Sequence, residues 1–239
     1  MGIPYFFHSP LAMGSLRLSA EESKHAGGSR RLRPGQALVL VDGRGGAAEA
    51  RVVWRQDDRL EVCVDHIEQR PRPPLARLTL ATAMPKGRRQ GFLFEKCAEL
   101  GVGKVVATTF RRSVTGTTAS KLDRWSYACR EAIKQSKQAW LPVVEACGST
   151  DQLIARVPDG SQRFWATTGR GAPTISRMKS SLPHDADVFA VIGPEGGLCD
   201  EECTELTDAG FMPISLGPSV LRIESACVVL AAQLLALDG

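Results

Sequence analysis

The run Arg70-Pro71-Arg72-Pro73-Pro74 separates two kinds of hydrophobic pattern. Three prolines in five residues fix φ, remove backbone donors and keep the chain extended, so no helix or paired strand continues through them. Ahead of the run, short stretches at 36–41 and 47–54 and the alternating Leu60-Val62-Val64 are divided by Asp42-Gly43, Gly45-Gly46 and Asp57-Asp58. Strand-like segments broken by turn residues predict a small β-barrel over residues 1–72. Beyond the run, strand patterns at 78–83, 104–110, 164–168, 188–192 and 212–216 are interleaved with helical ones at 91–100, 121–138, 201–209 and 224–237, with further elements at 143–144 and 150–156. That alternation predicts an α/β domain over residues 73–239, with a mainly parallel sheet covered by helices on both faces. Ligands of such sheets sit beyond the C-terminal ends of the strands.

Charge narrows the class of partner. Between Pro85 and Trp140 stand twelve Lys or Arg and four acids, although the whole chain carries only +4, so the remainder is net acidic. A basic block on an otherwise acidic protein is the footprint of polyanion binding, unless it is simply a solvated helical face. The longest apolar stretch, 226–237, is short of the about 20 residues that a membrane helix needs, and Met1 to Phe7 has no basic start or apolar block of a signal peptide. A cytoplasmic location is the expectation. Seven scattered cysteines give no disulfide framework and read as reduced thiols. Cys199 and Cys203 are four apart, but no second Cys or His pair accompanies them, so no metal is expected.

Two loops carry the chemistry. Gly193-Pro194-Glu195-Gly196-Gly197 follows the apolar strand pattern at 187–192 and precedes a helix, where glycines let backbone groups approach a ligand. A helix start usually attracts phosphate, but this one opens with Asp200, Glu201 and Glu202, which disfavour it and suit an uncharged or cationic ligand. S-adenosylmethionine, with a sulfonium and an ammonium against one carboxylate, fits that description. Neither GxGxxG nor GxxxxGK[ST] occurs, which removes the usual dinucleotide and P-loop readings. The second loop runs from Leu216 to Ala226, again from a strand end into a helix. Its Arg222 and Glu224 flank Ile223 and either point apart, one toward substrate, or form an ion pair.

Together these loops, with Lys86-Gly87, Lys96-Cys97-Ala98-Glu99-Leu100-Gly101-Val102, Arg112-Ser113 and Arg31-Leu32-Arg33-Pro34-Gly35, resemble the RsmE-type methyltransferases of the SPOUT superfamily. That family methylates N3 of a uridine in small-subunit ribosomal RNA. The resemblance covers nearly the whole chain and implies an N-terminal PUA-like β-barrel followed by a SPOUT trefoil-knotted α/β domain. It further implies a homodimer in which the partner completes the site and the last helix packs in the interface. S-adenosylmethionine would meet backbone around Thr167, Ile192, Gly193, Gly196, Gly197, Leu216, Gly217, Leu221 and Ala226. Departures from the family pattern fall where RNA is held: Pro4-Tyr5-Phe6-Phe7 has no Arg, Ser29-Arg30 stands where Val-Leu is usual, and the long helix reads Lys134-Gln135-Ser136-Lys137-Gln138.

Methylating uridine N3 requires loss of its proton and stabilisation of the charge left on the ring. Arg222 is the candidate for that charge, and Glu195 or Glu224 for the proton. Arg31, Arg33, Lys86 and Arg112 are candidates for the phosphate grip on ribosomal RNA or the small ribosomal subunit. The four histidines show no metal or triad spacing, and the four tryptophans are expected in the core. A SPOUT enzyme acting on another base, and a non-catalytic RNA-binding or ribosome-assembly protein, are the alternatives.

Overall fold

The structure, a computed structural model, describes residues 2–28, 32–56, 59–169, 171–175, 177 and 186–236 of the 239. It divides into two compact units, Met1–Arg72 with Arg130–Leu141, and Pro73–Cys129 with Pro142–Gly239.

In the first unit, strands β1 (Tyr5–Phe7), β2 (Gly14–Arg17), β3 (Ala37–Val41), β4 (Gly46–Gln56) and β5 (Arg59–Gln69) form one sheet in the order β1-β3-β4-β5-β2. β1 runs parallel to β3, and the other pairs are antiparallel. Alternation in β5 sends Leu60, Val62 and Val64 inward, where they pack with Phe6, Leu38, Leu40 and Val52. Two register shifts in the β4–β5 ladder, at Glu49/Ala50 and Val52/Trp54, bend the long hairpin.

Helix α1 (Ala20–Gly28) has no counterpart in the sequence expectations. Its buried residues are Glu22, Ser23 and Ala26, which make no apolar stripe. Polar anchors hold it instead: the Leu60 N–H donates to Ser23 Oγ at 3.1 Å, and Lys134 Nζ donates to Glu22 at 2.7 Å. Lys134 belongs to the 130–141 segment, whose Trp140 Nε1 donates to the carbonyls of Arg70 and Pro71 at 3.2 and 3.0 Å. Residues 130–141 thus join the unit built mainly from residues 1–72, although periodicity places them in a helix of the α/β half.

The second unit is a six-stranded parallel sheet of β6 (Leu78–Thr82), β7 (Lys104–Thr108), β8 (Val143–Cys147), β9 (Gln162–Ala166), β10 (Val188–Ile192) and β11 (Met212–Ile214), in the order β11-β9-β10-β6-β7-β8. The five residues of β10 are all buried, the condition under which a strand reads as a continuous apolar run. The helices are α2 (Arg89–Glu99), α3 (Ala119–Ser136), α4 (Thr150–Ile154), α5 (Asp200–Asp208) and α6 (Ile223–Leu235). Helix α6, which the family resemblance places in a dimer interface, buries Ile223, Ala226, Cys227, Leu230, Ala231 and Leu234 within its own unit, against α2, β6 and β10. Among the tryptophans only Trp125 fits the core expectation fully, stacked on Phe94 at 4.8 Å. Trp54 is 40% exposed on the first unit's sheet, a departure from that expectation, because the bulge beside it turns it outward.

Candidate active site

Because every strand of the second sheet points the same way, the loops after β9, β10 and β11 leave one edge side by side. Between them lies a cavity of about 490 Å³, within the range of small-molecule sites. Its wall combines Thr167 and Thr168 after β9, Gly193 to Leu198 after β10, and Leu216 to Leu221 after β11. All nine residues expected to meet S-adenosylmethionine line it, and so does Glu195.

Local chemistry shapes each wall. The β10 loop closes as a turn in which the Gly197 N–H donates to Pro194 O at 2.8 Å, and Gly197 takes φ 71°, a left-handed conformation that favours glycine. Arg112, a candidate for RNA phosphate, is exposed and donates from Nη1 to the carbonyls of Gly196 at 2.9 Å and Leu198 at 3.3 Å. Glu202 is only 2% exposed; its carboxylate accepts from the Arg111 N–H at 2.8 Å and the Cys199 N–H at 3.0 Å, tying the end of β7 to the start of α5. The Thr167 N–H donates to Ile214 O at 2.9 Å, and Gln233 Nε2 donates to Leu216 O at 3.3 Å, so strand and α6 both hold the third loop.

Acids at the start of α5 behave as charge arguments require. Glu202 is committed to two backbone N–H groups and the Thr150 hydroxyl, while Asp200 and Glu201 remain exposed, Glu201 lying 3.7 Å from Arg111. A hydrogen bond from the Cys199 thiol holds the Glu201 carboxyl below its usual range. These acids open the helix that follows the β10 loop, where carboxylates disfavour a phosphate ligand. Burial raises the Cys203 thiol on the cavity wall, and pushes the Cys129 and Cys227 thiols up to about 12. None of these thiols is a nucleophile near pH 7.

The three candidates for chemistry are placed differently. Glu195 is exposed on the cavity wall. Arg222 is exposed between the lining residues Leu221 and Ile223, in extended backbone at the start of α6. Glu224 is buried and is not part of the wall; its Oε1 lies 3.8 Å from Arg89 Nε, and its Oε2 has no partner among the described residues. The ion pair weighed for Arg222 and Glu224 is therefore replaced by one between Glu224 and Arg89. Lys86 is exposed in the loop after β6, the strand beside β10, and Arg33 is exposed in the first unit. Arg31 lies outside the described residues. Trp165, expected in the core, is a further wall residue that periodicity does not separate from packing tryptophans.

Among the described residues there is no cluster of three or more His, Cys, Asp or Glu side chains able to hold a metal ion, and no helix long and apolar enough to cross a membrane.

A five-stranded unit ahead of a parallel α/β unit whose strand-end loops enclose a cavity is, by comparison with known families, the architecture of an RNA methyltransferase with a PUA domain. The family model for the RNA methyltransferase domain matches residues 71–235, and that for the RNA methyltransferase PUA domain matches residues 18–62. The chain is 32% identical over 225 residues to ribosomal RNA small subunit methyltransferase E of Mycobacterium bovis, covering 89% of this chain and 82% of that one. It is 31% identical to the protein of the same name from Synechocystis, over 87% of this chain and 68% of that one. The crystal structure of ribosomal RNA small subunit methyltransferase E from Neisseria gonorrhoeae, bound to S-adenosyl methionine, superposes with a TM-score of 0.89 at 25% identity, covering 99% of this chain and 98% of that chain. The chain belongs to the RsmE family of RNA methyltransferases.

Proposed function

We propose that the protein transfers a methyl group from S-adenosylmethionine to N3 of a uridine in small-subunit ribosomal RNA. One observation carries the reading: the loops after three neighbouring parallel strands meet around a single cavity, and the helix that follows the β10 loop opens with acids that disfavour phosphate. When bound, S-adenosylmethionine supplies an activated methyl on a positively charged sulfur. Thr167, Ile192, Gly193, Gly196, Gly197, Leu216, Gly217, Leu221 and Ala226 hold it, with Arg112, also on the wall, fixing the β10 loop.

Two side chains at the mouth act on the uracil. Arg222, exposed between two residues of the wall, donates to a ring carbonyl as negative charge develops there. Glu195, the carboxylate on the wall, accepts the N3 proton. Glu224 serves the fold through Arg89. N3 lies on the pairing edge of uridine, so the target base is unpaired or turned out of its stack when it reaches the cavity. Lys86 in the second unit, and Arg31 and Arg33 in the first, contact phosphates and set the register of the RNA.

The working state is a cytoplasmic homodimer. Support for the dimer comes from the family resemblance, and Val220, 81% exposed within the β11 loop, is a side chain that a second chain would cover.

The test is to supply methyl-tritiated S-adenosylmethionine with small-subunit ribosomal RNA, free or assembled, and to digest the product to nucleosides. Label in N3-methyluridine supports the assignment. Label in another nucleoside moves the protein to a different RNA target, and absence of donor binding by calorimetry removes the enzymatic reading.

A further inference from the structure

The first unit has a cavity of its own, of about 280 Å³, on the face of its sheet turned away from the core. Tyr5, Val39 and Glu49 stand opposite one another across β1, β3 and β4 and so share that face, whereas Phe6, Leu40 and Ala48 share the core face. Val39 and Ala47 make an apolar floor. One wall is a rigid polar group: Arg70 donates to Glu68 at 2.9 Å, to the Lys137 carbonyl at 3.0 Å and to the Tyr5 hydroxyl at 3.3 Å. The charges of Arg70 and Glu68 are thereby spent on each other.

Lys137 is the wall residue that folding alone does not explain. It follows the last turn of α3 in the left-handed conformation, at φ 60°, while the Gln138 N–H donates back to Ile133 O at 3.0 Å. Helices that close in this way commonly place glycine at that position, because a side chain there is strained. Among the described non-glycine residues Lys137 alone has a positive φ. Its Nζ lies at the rim, 4.0 Å from where a Cβ on Gly2 would stand, and makes no ion pair among the described residues. A strained residue that carries an unspent charge into a cavity is the mark of a binding role.

We propose that this cavity takes one unpaired nucleotide of the RNA substrate, its base over Val39 and Ala47 beside the Tyr5 ring and its phosphate on the Lys137 ammonium. Glu49, the exposed carboxylate of the wall, repels a second phosphate but accepts from an N–H on the edge of a base, so the wall favours a nucleotide over a free polyanion. Aromatic and edge contacts of this kind are how proteins hold unpaired RNA bases. The assignment rests on the RNA reading above and adds to it a subsite in the first unit, one that serves RNA affinity and register and takes no part in methyl transfer.

Lys137→Gly separates binding from folding, because the two predict different outcomes. Glycine suits the left-handed position, so the melting temperature should hold or rise. Affinity for small-subunit ribosomal RNA, measured free and in the assembled subunit, should fall by about fivefold, the upper end for one exposed charge pair. The slope of log affinity against log salt should shrink by about 0.7, the share of one phosphate on a single strand. In the wild-type chain, ultraviolet crosslinking to the same RNA followed by peptide mass spectrometry should place a nucleotide adduct on Tyr5, a readout that needs no variant. If the wild type binds neither form of the RNA, the RNA reading itself is wrong. If it binds while Lys137→Gly keeps the wild-type affinity and salt slope, or while adducts form only on other residues, the RNA reading survives and this subsite is overturned.

Discussion

The guanidinium of Arg112 and the carbonyl of Gly196 are joined at 2.9 Å, and the same Nη1 reaches Leu198 O at 3.3 Å. A residue that the sequence offers for phosphate contact thus also braces the backbone of the β10 loop. Two carbonyls accepting from one charged donor hold that loop in a single arrangement, which a cavity formed from its backbone requires.

Arg112→Ala should weaken S-adenosylmethionine binding by about tenfold, near the lower end for a lost charge-assisted hydrogen bond, since the freed carbonyls become hydrated. Calorimetry checks this. Unchanged donor affinity with weakened RNA affinity would restore the phosphate role.

Glu202 bridges Arg111 N–H and Cys199 N–H from a position almost closed to solvent. Glu202→Ala leaves both donors unmet and should cost about 2–4 kcal/mol in urea unfolding, whereas Glu202→Gln, which keeps one acceptor, should cost less. Equal losses in the two variants would show that the side chain acts by packing alone.

Arg222 caps α6 through its backbone, the Ala226 N–H donating to Arg222 O at 2.8 Å, while its side chain is exposed. Arg222→Ala should leave the melting temperature and donor affinity unchanged and lower turnover by about 100-fold or more, as loss of an oxyanion donor does. A fall in donor affinity with turnover intact would reassign it to binding.

Burial pushes the thiols of Cys129 and Cys227 up to about 12, against about 8.5 in an unfolded chain. The folded state keeps these protons at pH values where the unfolded state has lost them. Their contribution is complete below about pH 8.5 and declines as pH rises toward about 12, by about 1.4 kcal/mol per pH unit for each thiol. Unfolding free energies at pH 8 and pH 10 measure the slope. Cys227→Ala should reduce it by one thiol's share, and an identical slope would place the ionisation elsewhere.

Elements with continuous burial were legible in the sequence. β10 reads as Val188-Phe189-Ala190-Val191-Ile192 and is buried throughout, and the start of α6 falls one residue from its expected position. The cavity was legible because its two main loops follow strand patterns, the first fully buried, and carry glycines where a turn needs them. α1 was not, because its inward residues include Glu22 and Ser23, stabilised by Lys134 and by the backbone at Leu60, partners distant in sequence. Partner choice was equally hidden. Nothing in the spacing of Arg222 and Glu224 announces that Glu224 turns to Arg89, or that Arg112 serves a loop more than eighty residues later. Knotting depends on the order in which segments thread through one another, which no hydrophobic period encodes.

The most direct measurement is a crystal structure of the chain with S-adenosylmethionine. The account expects the ligand between the β10 and β11 loops, against the backbone of Gly193 to Gly197 and Leu216 to Leu221, with Arg112 still bonded to Gly196. Density for the ligand elsewhere, or a cavity left empty at concentrations that saturate the protein in solution, would contradict it.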